Sequence, residues 1–343
     1  MNGRMIVLDH VGGQEAAALL VDGRLNDLLI DDPSAPRPGA IFRAICDRPL
    51  KGQGGMMLRL PEGSAFLRQA KGLRPGQPML VQVTGVTEPG KAVPVTDRVL
   101  FKSRYAIVTP GAPGINVSRQ IVEEDERDRL LEIAHEAFES SHGLILRSAC
   151  EGAEAAEIAE DIAEMLALAN AVMADAEGAD PEALTEGDGP HVLAWRDWVA
   201  DTVVTDAGGF EREGVLEQIG ALAGAEVPLG EGMMFVEPTR ALVAVDVNTG
   251  PDTSPAAALK ANIAAARDLP RQMRLRGLGG QIVIDFAPVP KKDRAVLDQV
   301  IRAAFRPEGA DVNLAGWTTL GLYEITRRRD RLPLAEVLAR GPR

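Results

Sequence analysis

The chain has 343 residues, 45% of them apolar and 25% charged, a balance that fits two or three globular domains and excludes both global disorder and a membrane-spanning apolar run. Two distant cysteines, Cys46 and Cys150, exclude a disulfide framework, and an N-terminus that turns acidic by Asp9 excludes a signal peptide, so the expected location is a reducing cytoplasm. The net charge of −13 argues against a polyanion partner, but the charge is unevenly spread along the chain.

Residues 4–30 read as two or three short strands with turns at Gly12-Gly13 and Asp22-Gly23, and the proline-rich stretch 31–39 is a boundary. Five short apolar runs follow, at 40–45, 56–60, 65–67, 79–83 and 92–95, punctuated by glycine and proline. That rhythm predicts a small all-β barrel. With 11 basic and 4 acidic residues over 38–105 it suits an OB-fold, any other small β domain being the alternative. Residues 105–108 and 116–121 read as strands, 123–138 and 151–173 as helices, with the apolar run 144–146 between them. Ala155, Ile158, Ile162, Met165 and Leu166 recur at helical spacing, a core stripe. The 20 acidic and 3 basic residues of 122–189 then form mainly a solvated face.

Residues 179–189 read as a polar link, and 195–219 as helix with a strand at 202–204. Strands are expected at 233–237 and 241–246. A helix follows from Pro255 to Arg276, capped by Thr253-Ser254 and carrying Leu259, Ile263, Ala266, Leu269 and Met273 on its apolar stripe. Pro270 is expected to kink it. Gly277–Gly280 ends the helix before a strand at 281–286, and residues 267–343 hold 15 basic and 9 acidic side chains.

The chemistry concentrates in this last region. Two apolar strands end in carboxylates, Asp246 and Asp285, with one amphipathic helix between them, a β-α-β pattern. Such a unit brings the carboxyl ends of both strands to one sheet edge. Two converging carboxylates call for a shared proton or a cation. Asn248, in phase with Asp246, adds a neutral oxygen, and the set suits Mg²⁺, with Mn²⁺ as the alternative. An aspartate before Asn-Thr-Gly can instead simply cap a turn. Arg271, Arg274, Arg276, Lys291, Lys292 and Arg294 are expected around the pair, pointing to a phosphate substrate. The zincin, P-loop, nucleophile-elbow and dinucleotide fingerprints are missing, and His10, His135, His142 and His191 stand singly.

The runs EPTRALVAVDVNTG (237–250), NIAAAR (262–267), RQMRLRGLGGQIVIDF (271–286) and GLYEITRRR (321–329) resemble the catalytic signature of the ribonuclease E/G family. The likeness is strongest over 232–331. It implies a multidomain α/β fold in which an RNase H-like subdomain (1–37 and 187–231) is interrupted by an OB-fold RNA-binding barrel (38–104) and a 5′-sensor (105–186). A DNase I-like α/β catalytic subdomain (232–343) follows. It implies an endoribonuclease that cleaves single-stranded RNA in processing or decay and favours 5′-monophosphate ends. Asp246 and Asp285 would hold Mg²⁺, and Asn248 would orient one of them. Phe66 and Lys91 resemble the barrel's stacking aromatic and phosphate-facing lysine, with Met57 where a further aromatic is usual. Gly114, Val117, Arg147 and Ser148 resemble the sensor of a terminal phosphate. The family's C-P-x-C zinc link has no counterpart here, so no zinc is expected and a homodimer would use another surface. A non-catalytic RNA-binding homologue and a DNA- or nucleotide-directed phosphodiesterase are the alternatives.

Overall fold

A computed structural model describes residues 3–50, 52, 54–86 and 90–340. The chain divides into two compact units, Met1–Asp31 with Ala200–Arg343, and Asp32–Val199. The first unit begins with an antiparallel meander, β1 (Arg4–Val11), β2 (Gln14–Val21) and β3 (Arg24–Ile30), whose turns fall on glycines with positive φ at 12, 13 and 23.

The second unit opens with five strands at the predicted apolar runs: β4 (Ile41–Leu50), β5 (Gly55–Arg59), β6 (Ser64–Leu67), β7 (Pro78–Val83) and β8 (Val93–Thr96). Their order is β4-β5-β6-β8-β7, and β7 pairs back onto β4, so the sheet closes into a barrel. The β6–β8 pair is parallel and the other neighbours are antiparallel, a topology consistent with an OB-fold. Closure leaves an interior of Ala44, Leu58, Ala65, Val81 and Val83. A second sheet follows from β9 (Phe101–Lys102), β10 (Ala106–Thr109) and β11 (Gly114–Val117). Helix α1 (Glu124–Ala137), β12 (Gly143–Leu146) and helix α2 (Ala155–Ala174) complete it. The sheet order is β11-β12-β10-β9. Leu130, Ala134, Ile158 and Ile162 bury the helices against that sheet, and most glutamates of α2 stay exposed. The stretch read as a polar link contains β13 (Glu182–Thr185), which pairs with β4 at the barrel's margin. Helix α3 (Pro190–Asp197) starts earlier than its apolar spacing indicates, with Pro190 in its first turn.

Back in the first unit, β14 (Thr202–Val204) lies parallel to β1. Two short helices, α4 (Gly209–Arg212) and α5 (Val215–Ala221), pack Phe210, Val215 and Ile219 onto the meander. A large six-stranded sheet takes β15 (Glu226–Leu229), β16 (Gly232–Pro238) and β17 (Val243–Asn248), then, across helix α6 (Pro255–Leu275), β18 (Gly280–Asp285). Helix α7 (Arg294–Phe305), β19 (Val312–Trp317), β20 (Tyr323–Arg327) and helix α8 (Leu334–Arg340) follow. The strand order is β15-β16-β17-β18-β20-β19, with only β17–β18 parallel. One face is sealed by α6 and α7 through Val245, Ala266, Leu269, Met273, Ile284, Leu297 and Ile301. Helix α6 runs through the buried Pro270 as a single helix, and Ser254 caps it by accepting from the Ala257 amide at 3.2 Å.

Candidate active site and nucleic-acid interface

Strand alternation decides which side chains reach the open face of the large sheet. In β17, Val243, Val245 and Val247 are buried while Asp246 and Asn248 are exposed; in β18, Ile282 and Ile284 are buried while Asp285 is exposed. Asp246 and Asp285 are register partners of the parallel pair, one strand spacing apart, about 4.8 Å. Asn248 Nδ2 donates to Asp246 Oδ2 at 2.7 Å, fixing one carboxylate oxygen and leaving the other open. Two solvent-facing carboxylates with room for water are a hard-oxygen donor set, which is what Mg²⁺ takes. Among the described residues no group of three or more His, Cys, Asp and Glu is placed to hold a metal, so a cation here relies on the two aspartates.

Asn262, on α6, is a residue whose role sequence reasoning missed. It is fully buried, donates from Nδ2 to the Ala287 carbonyl and accepts the Ala287 amide on Oδ1, both at 2.9 Å. This two-point clamp grips the backbone two residues beyond Asp285. The signal available beforehand was a polar residue on the apolar stripe of a core helix, which must be satisfied by a specific partner. Lys292 lies in the exposed 3₁₀ turn Lys291–Asp293, in the connection that leaves the carboxyl end of β18. Arg294 stacks on Trp317, its guanidinium 4.6 Å from the ring centre.

Arg271 and Arg274 are not beside the carboxylates, contrary to the sequence expectation. The crossover helix runs antiparallel to the strands it joins, so its last turns lie on the order of 25 Å along the axis from its start near Asp246. There Arg271 pairs with Asp268 at 2.7 Å and donates to the Leu25 carbonyl at 2.8 Å. Arg274 pairs with Glu308 and meets Asn26. Burial alone would raise the Asp268 carboxyl; Arg271, Gln272 and Arg24 outweigh it and hold the carboxyl below its ordinary value. Arg276 is buried, bonded to Gln272 and to the Gly224 carbonyl at 2.9 Å. These arginines tie α6 to neighbouring parts of the same unit.

On the barrel, Phe66 is half-buried on the outer face of β6, in register with Met57 of β5 and Pro94 of β8. Its ring lies across Gly55, where an added Cβ would meet ring carbons at 2.4 and 2.5 Å. A glycine is therefore needed beneath it. Lys91 is exposed just before β8. An aromatic with apolar neighbours and a cation close in sequence to the adjacent strand make a surface of the kind that binds single-stranded nucleic acid.

In the second sheet of that unit, Val117 is the register partner of Leu146, and the Ser118 amide donates to the Leu146 carbonyl at 2.8 Å. The ends of β11 and β12 thus bring Val117 beside Arg147 and Ser148. Gly114, with φ +124°, lies at the far end of β11 opposite Gly143. Arg147 is already engaged: it donates to Asp197 Oδ1 at 2.6 Å and to the carbonyls of Ser103, Arg104 and Arg196. Burial tends to raise the Asp197 carboxyl, but the bonds and charges of Arg196 and Arg147 hold it below its usual value. Ser148 is exposed at the start of the 3₁₀ turn Ser148–Cys150.

Comparison with known proteins converges on one family. The sequence model of the Ribonuclease E/G family matches residues 101–206 and 199–330. The chain is similar to Ribonuclease E of Nostoc sp., 29% identical over 316 residues, which is 79% of this chain and 45% of that protein. It is likewise similar to Ribonuclease G of Escherichia coli, 28% identical over 310 residues, 78% of this chain and 62% of that one. Ribonuclease E of Synechocystis sp. is 29% identical over 323 residues, 80% of this chain and 48% of the relative. The chain thus spans less than two thirds of the length of the relatives it matches.

Proposed function

The chain belongs to the ribonuclease E/G family, and from that membership we propose that it is a Mg²⁺-dependent endoribonuclease acting on single-stranded RNA in processing or decay. One observation carries the reading. Asp246 and Asp285 stand in register at the carboxyl ends of the two parallel strands, on the face the helices leave open. We assign the ion to these two carboxylates, Mn²⁺ being the alternative. The chemistry it supplies when bound is activation of water and neutralisation of phosphate charge. Asn248 holds the Asp246 carboxylate in one rotamer through its 2.7 Å bond, so the donor set is ordered before substrate arrives. Asn262 fixes the backbone that follows Asp285. Lys292 adds positive charge on the chain leaving β18, where a phosphodiester would lie. In-line attack of water at phosphorus, with the 3′ oxygen leaving, gives 5′-phosphate and 3′-hydroxyl ends.

Within the same reading, the division into RNase H-like parts (1–37, 187–231), barrel (38–104), sensor (105–186) and DNase I-like part (232–343) is the family layout. Phe66 and Lys91 hold the strand by stacking and phosphate contact. Preference for 5′-monophosphate ends would fall to Val117, Arg147 and Ser148, with Gly114 turning the strand that leads to them. A terminal phosphate there must displace the Asp197 carboxylate from Arg147, so the preference is a modest one.

The test is cleavage of end-labelled single-stranded RNA with and without Mg²⁺, alongside Asp246→Asn and Asp285→Asn. Metal-dependent cutting that either substitution abolishes, with RNA affinity kept, is the expected result. Binding without cutting by the unaltered protein would reduce it to an RNA-binding homologue.

A further inference from the structure

The row of exposed side chains that contains the two aspartates continues beyond them. Asp246 is the register partner of Phe235 on β16, and Phe235 is in turn the partner of Glu226 on β15. Asp285, Asp246, Phe235 and Glu226 therefore cross four adjacent strands in one line, about 4.8 Å per step, on the open face. Phe235 is half-buried while its neighbours Met234 and Val236 lie in the core below, which fixes its ring on this face. Beside it runs a groove of about 580 Å³, lined among others by Gly224, Ala225, Glu226, Pro228, Phe235 and Glu237. The groove wall is anchored: the Val236 amide donates to the Ala225 carbonyl at 2.9 Å, and Arg276 holds the Gly224 carbonyl at 2.9 Å.

We propose that Phe235 and Glu226 form a base subsite that selects guanine in the nucleotide adjoining the cleaved phosphodiester. This rests on the reading of Asp246 and Asp285 as the cleavage site. A base stacked on Phe235 has its sugar and phosphate on the Asp246 side, because that is where the reacting phosphate lies. Its Watson–Crick edge then points the other way, to Glu226. A carboxylate is acceptor-only and takes two parallel donors. Guanine presents two adjacent donors on that edge, N1–H and the N2 amino group. Adenine and cytosine place an acceptor nitrogen beside their amino group, and uracil flanks one N–H with carbonyls. The Glu226 carboxylate thus attracts guanine and repels the edge of the other three.

The experiment compares two uridine-rich RNA oligonucleotides that differ only in one guanosine or one inosine, which lacks the N2 amino group. Cleavage is followed with Mg²⁺ and the cut position is mapped; affinity is measured by anisotropy without divalent metal. The expected result is cutting next to guanosine about tenfold faster than next to inosine, with guanosine also bound more tightly. Phe235→Ala should raise KM about tenfold at that position, and Phe235→Trp should restore it. Glu226→Gln should bring the guanosine rate down to the inosine rate. Equal rates and affinities for the two oligonucleotides, or an unchanged KM in Phe235→Ala, overturn the subsite while leaving the endonuclease reading intact. If the protein cuts neither RNA, that reading fails, and the affinity comparison still decides the subsite: tighter guanosine binding lost in Glu226→Gln upholds it, and equal binding overturns it.

Discussion

At the residue scale, the separation between side chains that face a substrate and side chains that hold them was only partly legible in the sequence. Asp246, Asn248 and Asp285 were readable because strand alternation and a β-α-β order fix both their face and their edge. The same order sends α6 away from that edge, so the remoteness of its arginines was implied. Their partners Leu25, Asn26 and Glu308 lie far off in sequence, however, and no local pattern marks them. Arg147 shows the same limit: its partner Asp197 lies 50 residues on, in a helix whose docking no local pattern predicts. Asn262→Ala orphans both polar groups of Ala287 in the core, at about 1–3 kcal/mol for each group left unsatisfied. Denaturant melts should show that loss, and kcat should fall more than KM rises, since the Asp285 backbone loosens without removing a substrate contact. Asp197→Asn weakens the claim on Arg147. The rate ratio of 5′-monophosphate to 5′-hydroxyl RNA should therefore rise in that variant and return to unity when Arg147→Ala is added; a ratio unmoved by Asp197→Asn would take Arg147 out of end recognition.

Among elements, the five barrel strands and the α6 crossover were legible from apolar rhythm and from glycine and proline punctuation. β13 and β15 were not. Each is four residues long and adds at a sheet margin, and Glu182-Ala183-Leu184-Thr185 carries no alternation to separate it from a linker. Their pairing is decided by the neighbouring strand's unsatisfied backbone groups. The outer face of β5 and β6 offers an element-scale prediction. Gly55→Ala places a Cβ against the Phe66 ring and the Leu67 carbonyl, so the ring must swing away or the hairpin must spread. A stability loss of about 1–3 kcal/mol is expected from such overpacking, together with weaker binding of single-stranded RNA. Thermal melts and anisotropy titrations read the two effects separately, and full affinity in the folded variant would remove Phe66 from the RNA surface.

For the whole molecule, the net charge of −13 hides the basic stretches at 38–105 and 267–343. If RNA is held through phosphates on these stretches, affinity should fall at least about tenfold between ~50 and ~200 mM salt; a flat salt titration would contradict it. Acid has its own signature. Arg129, with the Gly152 amide, holds the Glu126 carboxyl down to about 2 from an ordinary 4.5. The folded value is the lower one, so this group's contribution is whole above pH 4.5 and is lost as pH falls from there through about 2. Glu126→Gln should therefore lower stability at pH 7 and flatten its decline below pH 4.5, as followed by melting temperature. The pairing of β1 with β14 carries a last consequence. The Arg4 amide donates to Asp201 at 2.8 Å across 197 positions of sequence, and β14 completes the edge of β1 only after Asp32–Val199 has been made. On the ribosome, the nascent meander thus waits with the Met5-Ile6-Val7 edge unpaired. Early folding of the inserted unit shortens the effective loop that must close. A stalled or truncated chain presents that bare edge to its neighbours, a template for aggregation.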